Sequence, residues 1–252
     1  MDNFSSQVTI PPETLRVGVG PFSSSELFIE SGYKTIRFAS TLVGLKPTDR
    51  VLDVGCGCGR IAIPLQKFLS ESGSYVGFDL NKEYVDWCQQ NIAEVDERFS
   101  FHYFDLLSES YNPTGTKSPV DFVFPKIGSI DIAILSSVIT HMYPSEIEQY
   151  VQNLSRVVKS NGRCIISALL MNEESKKSVR EHTTIFNFVH EVGESCWTFN
   201  VEQPLDGISC EEKWLCDLFN KHGFVIEKLV YGNWREVKSY DIQHDWFGIR
   251  KR

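Results

Sequence analysis

The chain has 252 residues, 33 of them acidic and 25 basic, for a formal net charge of −8, and 42% are hydrophobic. That composition builds a core and excludes a disordered chain, while the acidity disfavours a surface that grips nucleic acid by counterion release. No apolar run reaches the ~18 residues of a membrane span, and the N-terminal stretch reads as no secretory signal, so the expected location is cytoplasmic.

In chain order, residues 1–22 are polar around Pro11-Pro12 and predict a partly ordered arm. Residues 23–45 predict one or two helices, with Ser31-Gly32 as a break. From 50 to about 168, short apolar runs alternate with amphipathic stretches, the pattern of βαβ units and a parallel sheet. Strands are predicted at 50–54, 74–78, 101–104, 130–135 and 163–167, and a helix at 59–69 with Pro64 close to its start. A second helix is predicted over 146–158, with Ser145 and Glu148 as a capping box and Asn161-Gly162 turning the chain into the next strand. Residues 107–129, with Pro113, Gly115, Pro119 and Pro125, read as a surface excursion. Residues 169–209 mix charge with aromatics. A helix at 211–221 and strands at 224–231 and near 246–250 follow, and these two strands, lacking a crossover helix, should pair antiparallel.

The most informative segment is Val51-Leu52-Asp53-Val54-Gly55-Cys56-Gly57-Cys58-Gly59-Arg60. An apolar strand runs into three alternating glycines and then a helix, so a ligand can lie against bare main chain at a helix start. The dinucleotide fingerprint G-x-G-x-x-G needs glycine where Arg60 stands, so the nicotinamide pattern fails. Asp53, at the end of a buried strand, is costly without a partner. A cationic ligand would supply one, whereas a pyrophosphate would be repelled. Asp79 ends the second strand, 26 residues after Asp53, where an acid can accept ribose hydroxyls in a doubly wound sheet. Asp105 ends the third.

These residues resemble the class I S-adenosylmethionine (SAM)-dependent methyltransferases, small-molecule type, over roughly residues 30–168 and the closing helix and strand pair. The resemblance implies an α/β, Rossmann-like methyltransferase fold: a seven-stranded mostly parallel sheet with an antiparallel C-terminal strand and a variable substrate cap. Residues 1–252 would form a single domain, with N-terminal arm and cap helices at 1–45, a SAM-binding core at 46–168, a cap insertion at 169–209 and a closing helix and β-hairpin at 210–252. It implies SAM as cofactor and S-adenosylhomocysteine as product, held by Asp53, Gly55, Cys56, Gly57, Gly59, Asp79, Leu80, Asp105, Leu106 and Ser136. Asp79 would take the ribose, Asp105 the adenine amine, and Leu80 and Leu106 the faces of the ring. The N-terminal helical segment, with Phe28, Tyr33 and Arg37, would close over the cofactor.

Methyl transfer is an in-line displacement to which an enzyme contributes alignment, and an oxygen or amine acceptor must also lose a proton. His141, in Ser136-Ser137-Val138-Ile139-Thr140-His141 after the fourth strand, is the candidate general base; its alternative role is to tie down that loop. Tyr33, His141, Tyr143, Phe186, His190 and Trp234 are the candidate acceptor contacts, the alternative for the aromatics being packing. Gly232-x-Trp234 and Asp241-x-Gln243-x-Asp245 resemble a subgroup associated with small molecules or glycans. Cys56-Gly57-Cys58 lacks metal-site spacing, and no metal is expected, with His141 and Asp121 or Asp131 the remaining option. The seven cysteines read as free thiols. Ser136-Ser137-Val138-Ile139 stands where an Asn-Pro-Pro-Tyr-like tetrapeptide would mark amide or nucleobase amine methylation. The expected reaction is therefore methylation of a small molecule, foremost at oxygen, by a monomer or homodimer without nucleic-acid or membrane partners. The alternatives are N- or C-methylation of a small molecule or protein, a non-catalytic SAM-binding partner, and an enzyme that uses the bound sulfonium only electrostatically.

Overall fold

The computed structural model describes residues 9–184, 186–236 and 244–252. Two compact units divide the chain, Met1–Phe104 and Asp105–Arg252.

In the first unit, Pro12 starts a one-turn helix, α1 (Glu13–Arg16). Arg16 is buried and donates to the carbonyls of Pro11 (2.7 Å), Phe22 (3.2 Å) and Ser23 (2.6 Å), closing residues 11–23 into a ring. The described part of the expected arm is thus ordered. Helix α2 (Ser25–Val43) starts on Ser24, whose hydroxyl accepts the Leu27 N–H, and ends at Gly44 in the left-handed region. It is one continuous helix, correcting the expected break at Ser31-Gly32. Gly32 serves close approach: a Cβ there would lie 2.1 Å from the Arg60 carbonyl oxygen. Strands β1 (Arg50–Val54), β2 (Ser74–Asp79) and β3 (Phe99–Tyr103) alternate with helices α3 (Ala62–Phe68) and α4 (Lys82–Cys88), the latter capped by Asn81. The strands pair in parallel, Arg50 opposite Ser74 and Tyr75 opposite Phe99, and β1 and β2 are almost continuously buried, as parallel strands covered on both faces must be.

The second unit contains β4 (Ile130–Leu135), α5 (Pro144–Val157), β5 (Val158–Ala168), β6 (Leu170–Met171), α6 (Glu173–Arg180), β7 (His190–Glu191), β8 (Cys196–Thr198), β9 (Ile208–Glu211), α7 (Glu212–Lys221), β10 (Phe224–Val230) and β11 (Asp245–Lys251). Helix α5 begins two residues earlier than its periodicity suggests. Pro144 takes its first position, and the Glu146 carboxylate accepts the Tyr143 N–H, so Ser145 is not the cap. Its apolar residues Ile147, Tyr150, Val151 and Leu154 are buried. Asn153, on the same face, accepts the Phe124 N–H and donates to the Phe122 carbonyl. The 107–129 segment is accordingly not all surface, since Phe124 and Ile127 are buried.

The main sheet runs β10-β11-β5-β4-β1-β2-β3, with β11 antiparallel to both β5 and β10. The 169–209 region, expected as a cap with a hairpin, supplies a separate sheet, β6-β9-β8-β7, in which β7 and β8 form the hairpin. A buried cluster of Leu169, Met171, Val179, Phe188 and Trp234 lies under Phe186, Trp197 and Phe199. Asp245 fastens this region: it is fully buried and accepts from the Leu170 and Gly232 N–H groups (both 2.9 Å), Trp234 Nε1 (2.8 Å) and Arg235 Nη2 (2.7 Å).

Two substitutions test this packing by chemical denaturation. Gly32→Ala should cost about 1–3 kcal/mol, because the Arg60 backbone must move. Asp245→Ala should cost about 3–5 kcal/mol, because Arg235 is left charged and unpaired in the interior.

Candidate functional site

Strand β1 delivers Asp53 to the base of the glycine loop. The loop's first turn is set by two N–H groups, Gly55 and Cys56, both donating to the Phe78 carbonyl at the end of β2 (2.8 and 2.9 Å). Gly57 then donates its N–H to Asp79 Oδ2 at 2.7 Å, while Asp79 Oδ1 accepts the Asn81 N–H at 2.9 Å. Gly57 has φ 53°, and a Cβ there would lie 2.7 Å from Val19 Cγ1, so both conformation and space require glycine. Gly59 is similarly closed by Ile92, 2.8 Å from where a Cβ would stand.

Asp53 is fully buried. Tyr75 donates its hydroxyl to Asp53 Oδ2 at 2.7 Å, and among the described residues Oδ1 has no hydrogen-bond partner. Burial pushes its carboxyl up to about 7, opposed by the Tyr75 bond and the Arg60 charge and reinforced by Asp79. Asp79 is also raised by burial, although the N–H groups of Asn81, Gly57 and Leu80 oppose the shift. Arg60 reaches back to α2, 3.3 Å from Ser31 Oγ and 3.4 Å from Thr35 Oγ1.

The other residues expected here are placed as follows. Cys56 is buried, its sulfur 3.0 Å from where a Gly77 Cβ would stand, and Leu80 is partly exposed. Tyr33 is partly exposed on α2, whereas Phe28 is fully buried edge-on to Phe22 and Arg37 is exposed. The segment that reaches the glycine loop lies further upstream, in the Arg16-anchored ring. Val19 packs on Gly57, and Gly18 lies against Tyr84, whose hydroxyl would be 2.0 Å from a Cβ. Sequence reasoning missed this strap; its only signal is the spacing Val17-Gly18-Val19-Gly20.

In the second unit, Asp105 is taken up by its own loop: Thr116 donates to Oδ2, and Asn112 Nδ2 lies 3.5 Å from Oδ1. Leu106 is buried, its carbonyl accepting from Asn112. Ser136 is partly buried after β4. His141 Nδ1 is 2.8 Å from the Leu205 carbonyl, which makes Nδ1 the donor and leaves Nε2 as the basic nitrogen. Burial holds its pKa below the ordinary histidine value, against the Leu205 bond and the Asp206 charge. Tyr143 is partly exposed with its hydroxyl toward Glu109 (3.4 Å), and His190 is exposed on β7. Phe186 and Trp234 belong to the aromatic cluster, Trp234 fully buried and donating to Asp245; they pack, and Trp234 is closed to an acceptor.

A trio that sequence reasoning did not assign stands beyond β4 and β5. Ser137 has φ 61°, rare for a residue with a side chain, and donates its N–H to Ser167 Oγ at 2.7 Å. His244 Nδ1 is 3.5 Å from both hydroxyls. The Asp241 and Gln243 of the motif lie outside the described residues. Asp131 pairs with Lys159, and among the described residues no group of three or more His, Cys, Asp or Glu side chains could hold a metal ion.

A family model described as "Methyltransferase domain" matches residues 45–222. The chain belongs to this methyltransferase family. Its relatives include the human tRNA N(3)-cytidine methyltransferase METTL2B, 28% identical over 51% of this chain and 32% of that protein. Another is the probable cobalt-precorrin-6B C(15)-methyltransferase (decarboxylating) of Thermoplasma acidophilum, 32% identical over 52% of this chain and 58% of that one. The chain thus spans about a third to three-fifths of the length of these relatives. Among solved structures, the 1,6-didemethyltoxoflavin-N1-methyltransferase of Burkholderia thailandensis, with bound 1,6-didemethyltoxoflavin and S-adenosylhomocysteine, superposes with a TM-score of 0.56 at 15% identity, covering 88% of this chain and 79% of that one. That likeness is one of fold.

Asp53 generates a stability prediction. Its folded-state pKa of about 7 lies above the ordinary carboxylate value of 3.8, so the ligand-free protein loses stability as pH rises between those values. Asp53→Asn should flatten this dependence and stabilise the ligand-free protein at pH 8 by about 2 kcal/mol in denaturation experiments.

Proposed function

We propose that this chain is a SAM-dependent methyltransferase acting on a small-molecule acceptor, foremost at an oxygen. The observation that carries the reading is the buried Asp53 oxygen, without a hydrogen-bond partner among the described residues, at the base of a glycine loop already closed by Asp79. A buried carboxylate left in that state suits a cationic ligand, and the bare main chain of the loop admits one closely. SAM, when bound, supplies a methyl group on a positively charged sulfur.

Asp53 and the glycine loop would hold the cofactor's charged end. Asp79 would accept ribose hydroxyls with the lone pairs left after the Gly57 and Asn81 bonds. The carboxylate of Asp105 is bound within its own loop, so the adenine amine is not assigned to it. His141, neutral and with Nδ1 fixed on the Leu205 carbonyl, is the base we assign for removing the acceptor's proton through Nε2. The net charge of −8 and Ser136-Ser137-Val138-Ile139 support a small oxygen acceptor over a nucleobase amine. The likeness to a tRNA methyltransferase makes tRNA the contrasting substrate.

The experiment is calorimetric titration with SAM, then a tritiated-methyl screen over phenols, carboxylates, sugars, amines and tRNA. Labelling of a small oxygen acceptor is expected; labelling of tRNA alone overturns the acceptor class, and absence of SAM binding overturns the whole reading. Asp53 must be ionised to hold a cation, so SAM affinity should weaken as pH falls below about 7, approaching tenfold per unit. Asp53→Asn should bind weakly without that slope. Asp79→Ala should lose about 1–3 kcal/mol of SAM affinity. His141→Gln should retain SAM affinity, while at saturating SAM its turnover falls and the acid limb of the kcat profile disappears.

A further inference from the structure

Two of the seven cysteines face each other across the small sheet. Cys196 on β8 and Cys210 on β9 are directly opposed in antiparallel register. Glu211 donates its N–H to the Ser195 carbonyl, and the Cys210 N–H goes the other way, to Leu169. Cys196 and Cys210 are therefore a non-hydrogen-bonded pair, the kind in which the Cα atoms approach to about 4.5 Å and the side chains are closest. That separation is within the range a disulfide spans without backbone movement. The two sulfurs are 2.7 Å apart, and both residues are buried, at 0% and 3% exposure. Nothing in the proposed chemistry uses either thiol.

We infer that Cys196 and Cys210 are a built disulfide site, closed by a low-molecular-weight disulfide such as oxidised glutathione. A Cys196 or Cys210 thiolate attacks the small disulfide, whose S–S bond breaks to release one thiol. The second cysteine sulfur then displaces the other small thiol, forming the Cys196–Cys210 bond. The protein pair gives up two electrons and two protons in all, and one small disulfide becomes two thiols. Burial pushes the Cys210 thiol well up, so attack waits on transient opening of the sheet and the bond forms slowly, over hours.

The bond would close a loop around residues 197–209. That loop contains Phe199, which packs on Gly207 (2.3 Å from where a Cβ would stand), and Leu205, whose carbonyl holds His141. Oxidation thus fastens the segment that orients His141, a consequence that rests on the methyltransferase reading, whereas the bond itself does not.

The test incubates the whole chain with excess oxidised glutathione at pH 8 and then counts thiols in denaturant. The count should fall from seven to five, without mixed glutathione adducts. Non-reducing peptide mapping should show the Cys196–Cys210 crosslink, and the midpoint of thermal unfolding should rise by roughly 5 °C. Cys196→Ser and Cys210→Ser should each retain all six remaining thiols. Seven free thiols after prolonged oxidation, or a crosslink among Cys56, Cys58 and Cys88, would overturn the inference. The wild-type chain reports on both redox states, so the result does not depend on either variant folding.

Discussion

The hydrogen bond from the Gly57 N–H to Asp79 is the contact on which the candidate cofactor site depends. It joins the ends of two neighbouring parallel strands through a side chain, at a glycine whose positive φ turns the chain onward from the loop. Asp79 is in turn fixed by the Asn81 N–H, and Asn81 caps α4 through the N–H groups of Glu83 and Tyr84. Tyr84 then receives Gly18 of the strap, whose Val19 returns to Gly57. The circuit runs from loop to strand end to helix cap to strap and back, so the loop's shape is set before any ligand arrives.

The sequence made this unit legible because its chemistry is local. A buried strand, an acid near its end and three alternating glycines occupy the ten consecutive residues 50–59, and each type is forced by backbone geometry or charge. The strands of the main sheet were legible for the same reason, as apolar runs between turn residues. What was not legible depended on contacts distant in the chain. Gly32 reads as a helix breaker until the Arg60 carbonyl is seen against it. Ser145 reads as a cap because the sequence does not show that Pro144 already occupies the first turn. Trp234 reads as pocket or core, and its bond to Asp245, eleven residues further on, decides for packing. Ser137 carries no sign of its positive φ, since serine rarely adopts one.

The same distinction separates the cofactor from the acceptor. Features that recognise a common ligand are built from main chain and strand ends, and they recur wherever the fold recurs. The groups around His141 come from Leu205 and Asp206 in one segment and Tyr111 in another, and their identities follow no spacing rule. Fold likeness therefore carries the cofactor class much further than the acceptor.

Two completely buried aspartates show how structure and function can be told apart by the same physics. Asp245 has four donors, including an arginine, so its charge is satisfied inside the protein and removing it strands those donors, Arg235 above all. Asp53 has one donor from Tyr75 and, among the described residues, an oxygen with no hydrogen-bond partner, while the Arg60 charge acts on it from nearby. Both suffer desolvation, but only Asp53 keeps an unsatisfied lone pair where a ligand's positive charge could meet it. A buried acid that is incompletely paired destabilises the ligand-free state, and binding a cation can recover that free energy as affinity. Retaining such an acid at the foot of a glycine loop makes sense for binding, whereas stability alone would favour an apolar residue or a fully bonded one.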